Sequence, residues 1–147
     1  MSIAAESKNI FNEDNPSMAD IKVFGHSLHE QLRKLGFRNV YGGADHVSIY
    51  EDPDGFIMYV GSGEEHLKVS NSTKHGATGV YIEPWRTVEI NTDYGSVRSS
   101  SVPSNIGGSP QLFSWKNKEK AEAFIGTWVM NCASPAAAKA LKREMRL

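Results

Sequence analysis

Helical periodicity is confined to the two ends of this 147-residue chain, and the alternation typical of strands fills its middle. At the N-terminal end, apolar residues recur at helical spacing at Ile21, Phe24, Leu28, Leu32 and Leu35. Ser17, followed three residues later by Asp20, resembles a capping box, and Gly36 stands where a helix commonly ends. The spacing therefore predicts a helix over residues 18–35.

The middle of the chain alternates between apolar and more polar residues. The first two runs contain Val47 with Ile49, and then Phe56, Met58 and Val60. Between them lies the turn sequence of residues 51–55, in which proline presets one dihedral angle and glycine accepts a positive φ. This pattern predicts a hairpin. Further short strands are expected at 66–70, 79–83 and 86–91, and one at Leu112-Phe113.

A second helical stripe occupies the C-terminal end, at Ala121, Phe124, Ile125, Trp128 and Val129. It predicts a helix over residues 117–131, with Asn117 as the N-cap. Ser134 and Pro135 then suit the N-cap and the first position of a last short helix that runs to the C-terminus.

The order of these elements is a helix, several strands and two helices, which favours an α+β fold over alternating β-α-β units. We expect a mostly antiparallel sheet of about five to six strands, with the N-terminal amphipathic helix and the two C-terminal helices packed on one face. Residues 1–16 lack periodicity and are expected to form an extended N-terminal arm. Residues 17–147 are expected to form a single α+β domain.

Composition excludes several classes of function. The formal charge of −1 gives no drive towards nucleic acid or an anionic membrane, and no apolar run reaches transmembrane length. A single cysteine, Cys132, and the lack of an apolar leader favour a cytoplasmic protein. His26 and His29 lie three residues apart on one predicted helix, but the other ligands of a metal site are missing. We therefore expect neither a metal nor a cofactor.

Residues 92–110 are rich in glycine and serine and are expected to form a long loop, a kind of segment that is often functional. Within residues 95–101, glycine backbone amides, a guanidinium and hydroxyl groups could bind a phosphate or a carboxylate. The candidate ligand-binding residues there are Arg98, Ser99, Ser100 and Ser101. Trp85 and Arg86 are further candidates, because exposed tryptophan and arginine are common at interfaces.

The sequence favours two functions over a third, nucleic-acid binding through Lys142 and Arg143 of the basic last helix. The first is a non-enzymatic interaction or assembly protein of the phage or accessory type, which acts through a protein partner or through self-association. The alternative is a small enzyme or binder of an anionic small molecule that uses the loop 95–101, with His46 or His75 as acid–base groups. No catalytic residues are assigned, and nucleic acid and membrane are not expected as partners.

Overall fold

The computed structural model describes residues 16–39, 44–53, 55–72, 79–91, 95, 97–104 and 109–145. The predicted arm lies outside the described residues except for Pro16, and so does His75. The first helix, α1, spans Met18–Lys34, and both hydrogen bonds of the capping box between Ser17 and Asp20 are present. The predicted N-terminal helix is therefore confirmed within one residue.

The described residues form six strands in one antiparallel sheet, in which β1 to β5 are ordered by sequence and β6 pairs with β4. The strands are β1 His46–Asp52, β2 Gly55–Ser62, β3 Glu65–Ser72, β4 Gly79–Asn91, β5 Val97–Pro103 and β6 Gln111–Ser114. The turn that contains Pro53 joins β1 to β2, as the sequence predicted.

Strand β4 corrects one prediction, because residues 79–83 and 86–91 belong to a single strand of 13 residues. Pro84 lies inside it, where proline is usually excluded. On one side of β4, pairing with β6 ends at Ile82 and pairing with β5 begins at Trp85. Pro84 thus falls between two partners, at a position where a missing N–H is tolerated, and its carbonyl accepts from the Ser104 amide at 3.1 Å.

The segment 92–110 is not the continuous loop that its composition predicted. Residues 97–103 form β5, and Val97 to Pro103 lie in register with Asn91 to Trp85. A run of small polar residues can take the strand conformation here because the long β4 supplies its hydrogen-bonding partners. The candidate loop 95–101 is accordingly mostly a strand at the edge of the sheet.

After β6, a short 3₁₀ turn at Trp115–Asn117 leads into α2, Lys118–Cys132. Asn117 does not cap α2 through its side chain, which donates instead to the Ser114 hydroxyl at 3.2 Å. The last helix, α3, spans Pro135–Glu144 and is capped by Ser134, as predicted. The 3₁₀ turn buries Trp115 against Phe24 of α1, with ring centroids 5.3 Å apart.

The core lies between one face of the sheet and the helices. Buried residues alternate along the strands on this face: Phe56, Met58, Val60, Leu67, Val69, Val80 and Ile82. Helix α1 covers β1 and β2, α2 covers β4 and β6, and α3 packs on α2. The α+β class, the mostly antiparallel sheet and the order of its three helices are confirmed.

Candidate functional site

The face of the sheet that points away from the helices is named here the open face, because no helix of the described residues packs on it. Cross-strand register places His46, Gly61, His66 and Trp85 in one row on this face. The next row contains Ser48, Tyr59, Lys68 and Glu83. Residues in register on neighbouring strands point to the same face of the sheet, so each row brings together side chains that are distant in sequence.

A cleft of about 540 Å³ lies on the open face. Its lining includes side chains from five strands: His46, Ser48, Tyr50, Tyr59, His66, Thr87 and Ser101. In a flat sheet β1 and β5 would be about 19 Å apart, four strand spacings. Since Ser48 and Ser101 line the same cleft, the sheet curls and its open face is concave.

The start of β1, which carries His46, is fixed by hydrogen bonds to two other parts of the fold. The Arg38 amide donates to the Asp45 carbonyl at 2.9 Å, and the Val47 amide donates to the Arg38 carbonyl at 2.8 Å. The buried carboxylate of Asp45 accepts from the amide of Ser134 at 3.1 Å and also from its hydroxyl. Helix α3 thereby anchors one wall of the cleft.

His66, on β3, is the titratable group of the cleft whose protonation is altered by the fold. Burial lowers its pKa and the nearby His46 lowers it further, whereas Glu65 acts in the opposite direction. At neutral pH the imidazole of His66 is therefore uncharged, and it can both donate and accept a hydrogen bond.

At the end of the cleft that contains Tyr50, a row of mostly apolar side chains crosses the open face. Its members, named here the apolar row, are Tyr50, Ile57, Ser70, Tyr81 and Leu112. Tyr50 and Leu112 expose 61% and 59% of their surface. Four of the six exposed large apolar side chains among the described residues lie on the open face: Tyr50, Tyr59, Tyr81 and Leu112.

The structure separates the residues that the sequence analysis grouped. Ser101 lines the cleft, and the half-buried Trp85 lies beside His66 in the same row of the open face. Ser99 is exposed on the open face of β5, two residues from Ser101, whereas Ser100 points to the opposite face. Arg98 is paired with Ile90 at the far end of β5, and its side chain lies outside what is described.

Arg86 belongs to a different cluster, on the helix side of the sheet. Its Nε lies 3.8 Å from a carboxylate oxygen of Glu65, whose other oxygen accepts from the Ser104 hydroxyl at 2.6 Å. Burial, with the same carboxylate, raises the pKa of Cys132. The Cys132 thiol is consequently protonated at neutral pH and is poorly suited to be a nucleophile.

The two histidines weighed as metal ligands take separate roles. The Nε2 of His26 lies 3.2 Å from a carboxylate oxygen of Glu51 on β1, whereas burial lowers the pKa of His29. No group of three or more His, Cys, Asp or Glu side chains within the described ranges could hold a metal ion. None of the helices described is both long and apolar enough to cross a membrane.

Sequence reasoning singled out His46 and Ser101 but missed Ser48, Tyr59, His66 and Thr87 as members of one site. The alternation in β1 carried part of this signal, because Val47 and Ile49 face the helices and their neighbours must face away. Which strand follows as a neighbour, and in which register, could not be read from the alternation.

Comparison with known protein families, with curated proteins and with solved structures finds no match to this chain.

Proposed function

We propose that this protein binds a small molecule in the cleft of the open face. The observation that carries the proposal is the size and chemistry of the cleft, about 540 Å³ lined by aromatic rings, imidazoles and hydroxyls. This volume lies in the range typical of small-ligand sites, which combine apolar walls with a few polar groups. The proposal keeps the small-ligand alternative of the sequence analysis but moves its centre from the segment 95–101 to the cleft, with Ser101 common to both.

A screen of small molecules by thermal denaturation tests this proposal. A ligand present at about 100 times its Kd should raise the Tm of the wild type by about 5–10 °C. Ser101→Trp should fill part of the cleft and abolish that rise. Ser99→Trp is the matched control, because Ser99 is exposed on the same face of the same strand but does not line the cleft.

Two outcomes would contradict the proposal that a ligand binds in the cleft. The first is that no compound in a broad panel stabilises the wild type. The second is that Ser101→Trp and Ser99→Trp respond to a ligand equally. If Arg98→Ala abolishes the response while Ser101→Trp retains it, the ligand binds at the far end of β5 instead.

A second function, self-association through the apolar row, is favoured by a separate observation. The row crosses five strands without a charged residue, and Tyr50 and Leu112 at its two ends are exposed. Exposed apolar side chains grouped on one face of a sheet, such as Tyr50, Tyr81 and Leu112, often mark a protein interface. Self-association corresponds to the interaction or assembly function expected from the sequence, with a second copy of the chain as the partner.

Sedimentation of the wild type and of the double variant Tyr50→Ser with Leu112→Ser tests self-association. The wild type should associate at micromolar concentration, and the double variant should sediment as a monomer. Val23→Ser is the control, because Val23 is 49% exposed on α1 and lies away from the open face. A wild type that remains monomeric at high micromolar concentration overturns this second proposal.

For both functions we propose a cytoplasmic location, which is supported by the single cysteine of the chain.

A further inference from the structure

A glycine between two histidines sets the geometry of the cleft. Gly61 of β2 lies in register with His46 of β1 on one side and with His66 of β3 on the other. A Cβ atom at Gly61 would lie 2.4 Å from Cε1 and 2.5 Å from Nε2 of His46. The His46 ring therefore lies over the backbone of β2 and extends towards His66. Any side chain at position 61 would occupy the space of this ring.

The orientation of the His46 ring is defined by its hydrogen bond. Nδ1 lies 3.0 Å from the carbonyl oxygen of Ala44. A carbonyl can only accept, so Nδ1 carries the hydrogen of this bond, and Nε2 is the ring nitrogen that lies over Gly61. The row thus places the His46 imidazole next to the uncharged His66.

Formally charged residues lie around the histidine pair, but none of them belongs to the described lining of the cleft. Among the described residues, its lining contains no lysine, arginine, aspartate or glutamate. On the open face Lys68 is in register with Glu83, so opposite charges are neighbours in the row next to His66. Glu65 points to the helix side of the sheet and binds Ser104.

Around His46, the nearby formal charges also have other partners or lie outside the lining. The carboxylate of Asp45 accepts hydrogen bonds from Ser134, and Arg38, which pairs with the start of β1 through its backbone, is not among the lining residues. The described lining of the cleft therefore offers hydrogen bonds but no lysine or arginine to bind a phosphate or a carboxylate.

The other end of the cleft is aromatic. The rings of Tyr50 and Tyr59 meet edge to face with centroids 6.1 Å apart, and both line the cleft. Such a pair presents both ring edges and ring faces to a flat guest. The other polar residues of the described lining are Asn39, Ser48, Thr87 and Ser101.

We propose that the cleft selects an uncharged aromatic ligand with hydrogen-bonding groups, held between the His46–His66 pair and the Tyr50–Tyr59 pair. This inference rests on the proposed small-molecule function and narrows its ligand class. It differs from the anionic ligand expected from the sequence, because none of the described residues that line this cleft is a lysine or an arginine.

Benzamide and benzoate are suitable probes, since they share a shape and differ in charge. At pH 7.5 and millimolar concentration, the range expected for fragments of this size, benzamide should shift the NMR signals of His46, His66 and Tyr59. Benzoate should shift them at least about tenfold less at the same concentration. If benzoate binds as well as benzamide, the ligand class is wrong although the cleft still binds small molecules. If neither probe perturbs the cleft, the ligand class is overturned, and the panel screen decides separately on the proposed function.

Gly61→Ala tests the role of the histidine pair. The added methyl group must displace the His46 ring, and we expect benzamide to bind about tenfold more weakly. Gly126→Ala in α2 is the control, because a Cβ atom there meets no other atom within 4 Å. An unchanged affinity of Gly61→Ala for benzamide would refute the role of the His46–His66 pair in ligand binding.

His66→Leu, which removes the imidazole without adding bulk next to His46, provides the same test if Gly61→Ala does not fold. This variant should also bind benzamide about tenfold more weakly than the wild type. An unchanged affinity would likewise refute the role of the histidine pair.

Discussion

Gly25 lies in the middle of α1, directly over the ring of Phe56 on β2. A Cβ atom at this position would come within 2.8 Å of that fully buried ring, so the glycine sets how closely the helix approaches the sheet. Gly126 occupies a comparable position in α2, but a Cβ atom there would meet nothing within 4 Å. Two helical glycines therefore play different roles that their sequence neighbourhoods do not reveal.

Alanine substitution at these two positions should change stability in opposite directions. Gly126→Ala should raise the free energy of unfolding by about 0.5–1 kcal/mol, because alanine favours the helix and no contact opposes it. Gly25→Ala should lower it by about 1–2 kcal/mol, since overpacking against Phe56 exceeds the gain in helix propensity. Urea denaturation of both variants checks this pair, and stabilisation by Gly25→Ala would contradict the close approach.

Helices α1 and α3 begin at serine caps of two kinds. Ser17 caps α1 at the surface, where it exchanges hydrogen bonds with Asp20. Ser134 caps α3, but it also donates to the buried carboxylate of Asp45 at the start of β1. One cap thus stabilises only its own helix, while the other also joins a helix to the sheet. Capping statistics predicted both serines, but the contact with Asp45, 89 residues away, had no local signal.

The two caps should differ in the cost of removing them. Ser17→Ala should destabilise the protein by about 1 kcal/mol, the usual value for an exposed cap. Ser134→Ala should cost about 2–3 kcal/mol, because it also removes a donor from a buried carboxylate. If thermal or urea denaturation shows that both variants lose the same free energy of unfolding, the contact between Ser134 and Asp45 does not stabilise the protein.

For the molecule as a whole, two half-buried histidines link stability to pH. Burial lowers the pKa of both His29 and His66. Below about pH 6.5, the ordinary histidine value, the unfolded chain binds protons at these positions that the folded chain does not. The unfolded state is then favoured, so stability is greatest above this pH and declines as the pH falls.

His66→Gln removes one of these groups and should make the protein less sensitive to acid. We expect the free energy of unfolding of the wild type to fall more steeply between about pH 6.5 and 5 than that of the variant. Denaturation curves at several pH values measure the two slopes. Identical slopes would mean that His66 does not contribute to the acid sensitivity.

The sequence by itself determined what depends on neighbours within a few residues. Periodicity and capping located α1 and α3, and proline with glycine located the turn between β1 and β2. The tertiary structure decided the rest. The polar run at 97–103 has no strong preference of its own and becomes a strand because β4 is long enough to pair with it.

The cleft likewise arises from strand order, register and the curl of the sheet, which bring His46, Tyr59, His66 and Ser101 together from four strands. These are long-range relations, since they depend on which strands pair rather than on any local pattern. The chain therefore reveals its elements through local sequence and its candidate site only through their assembly.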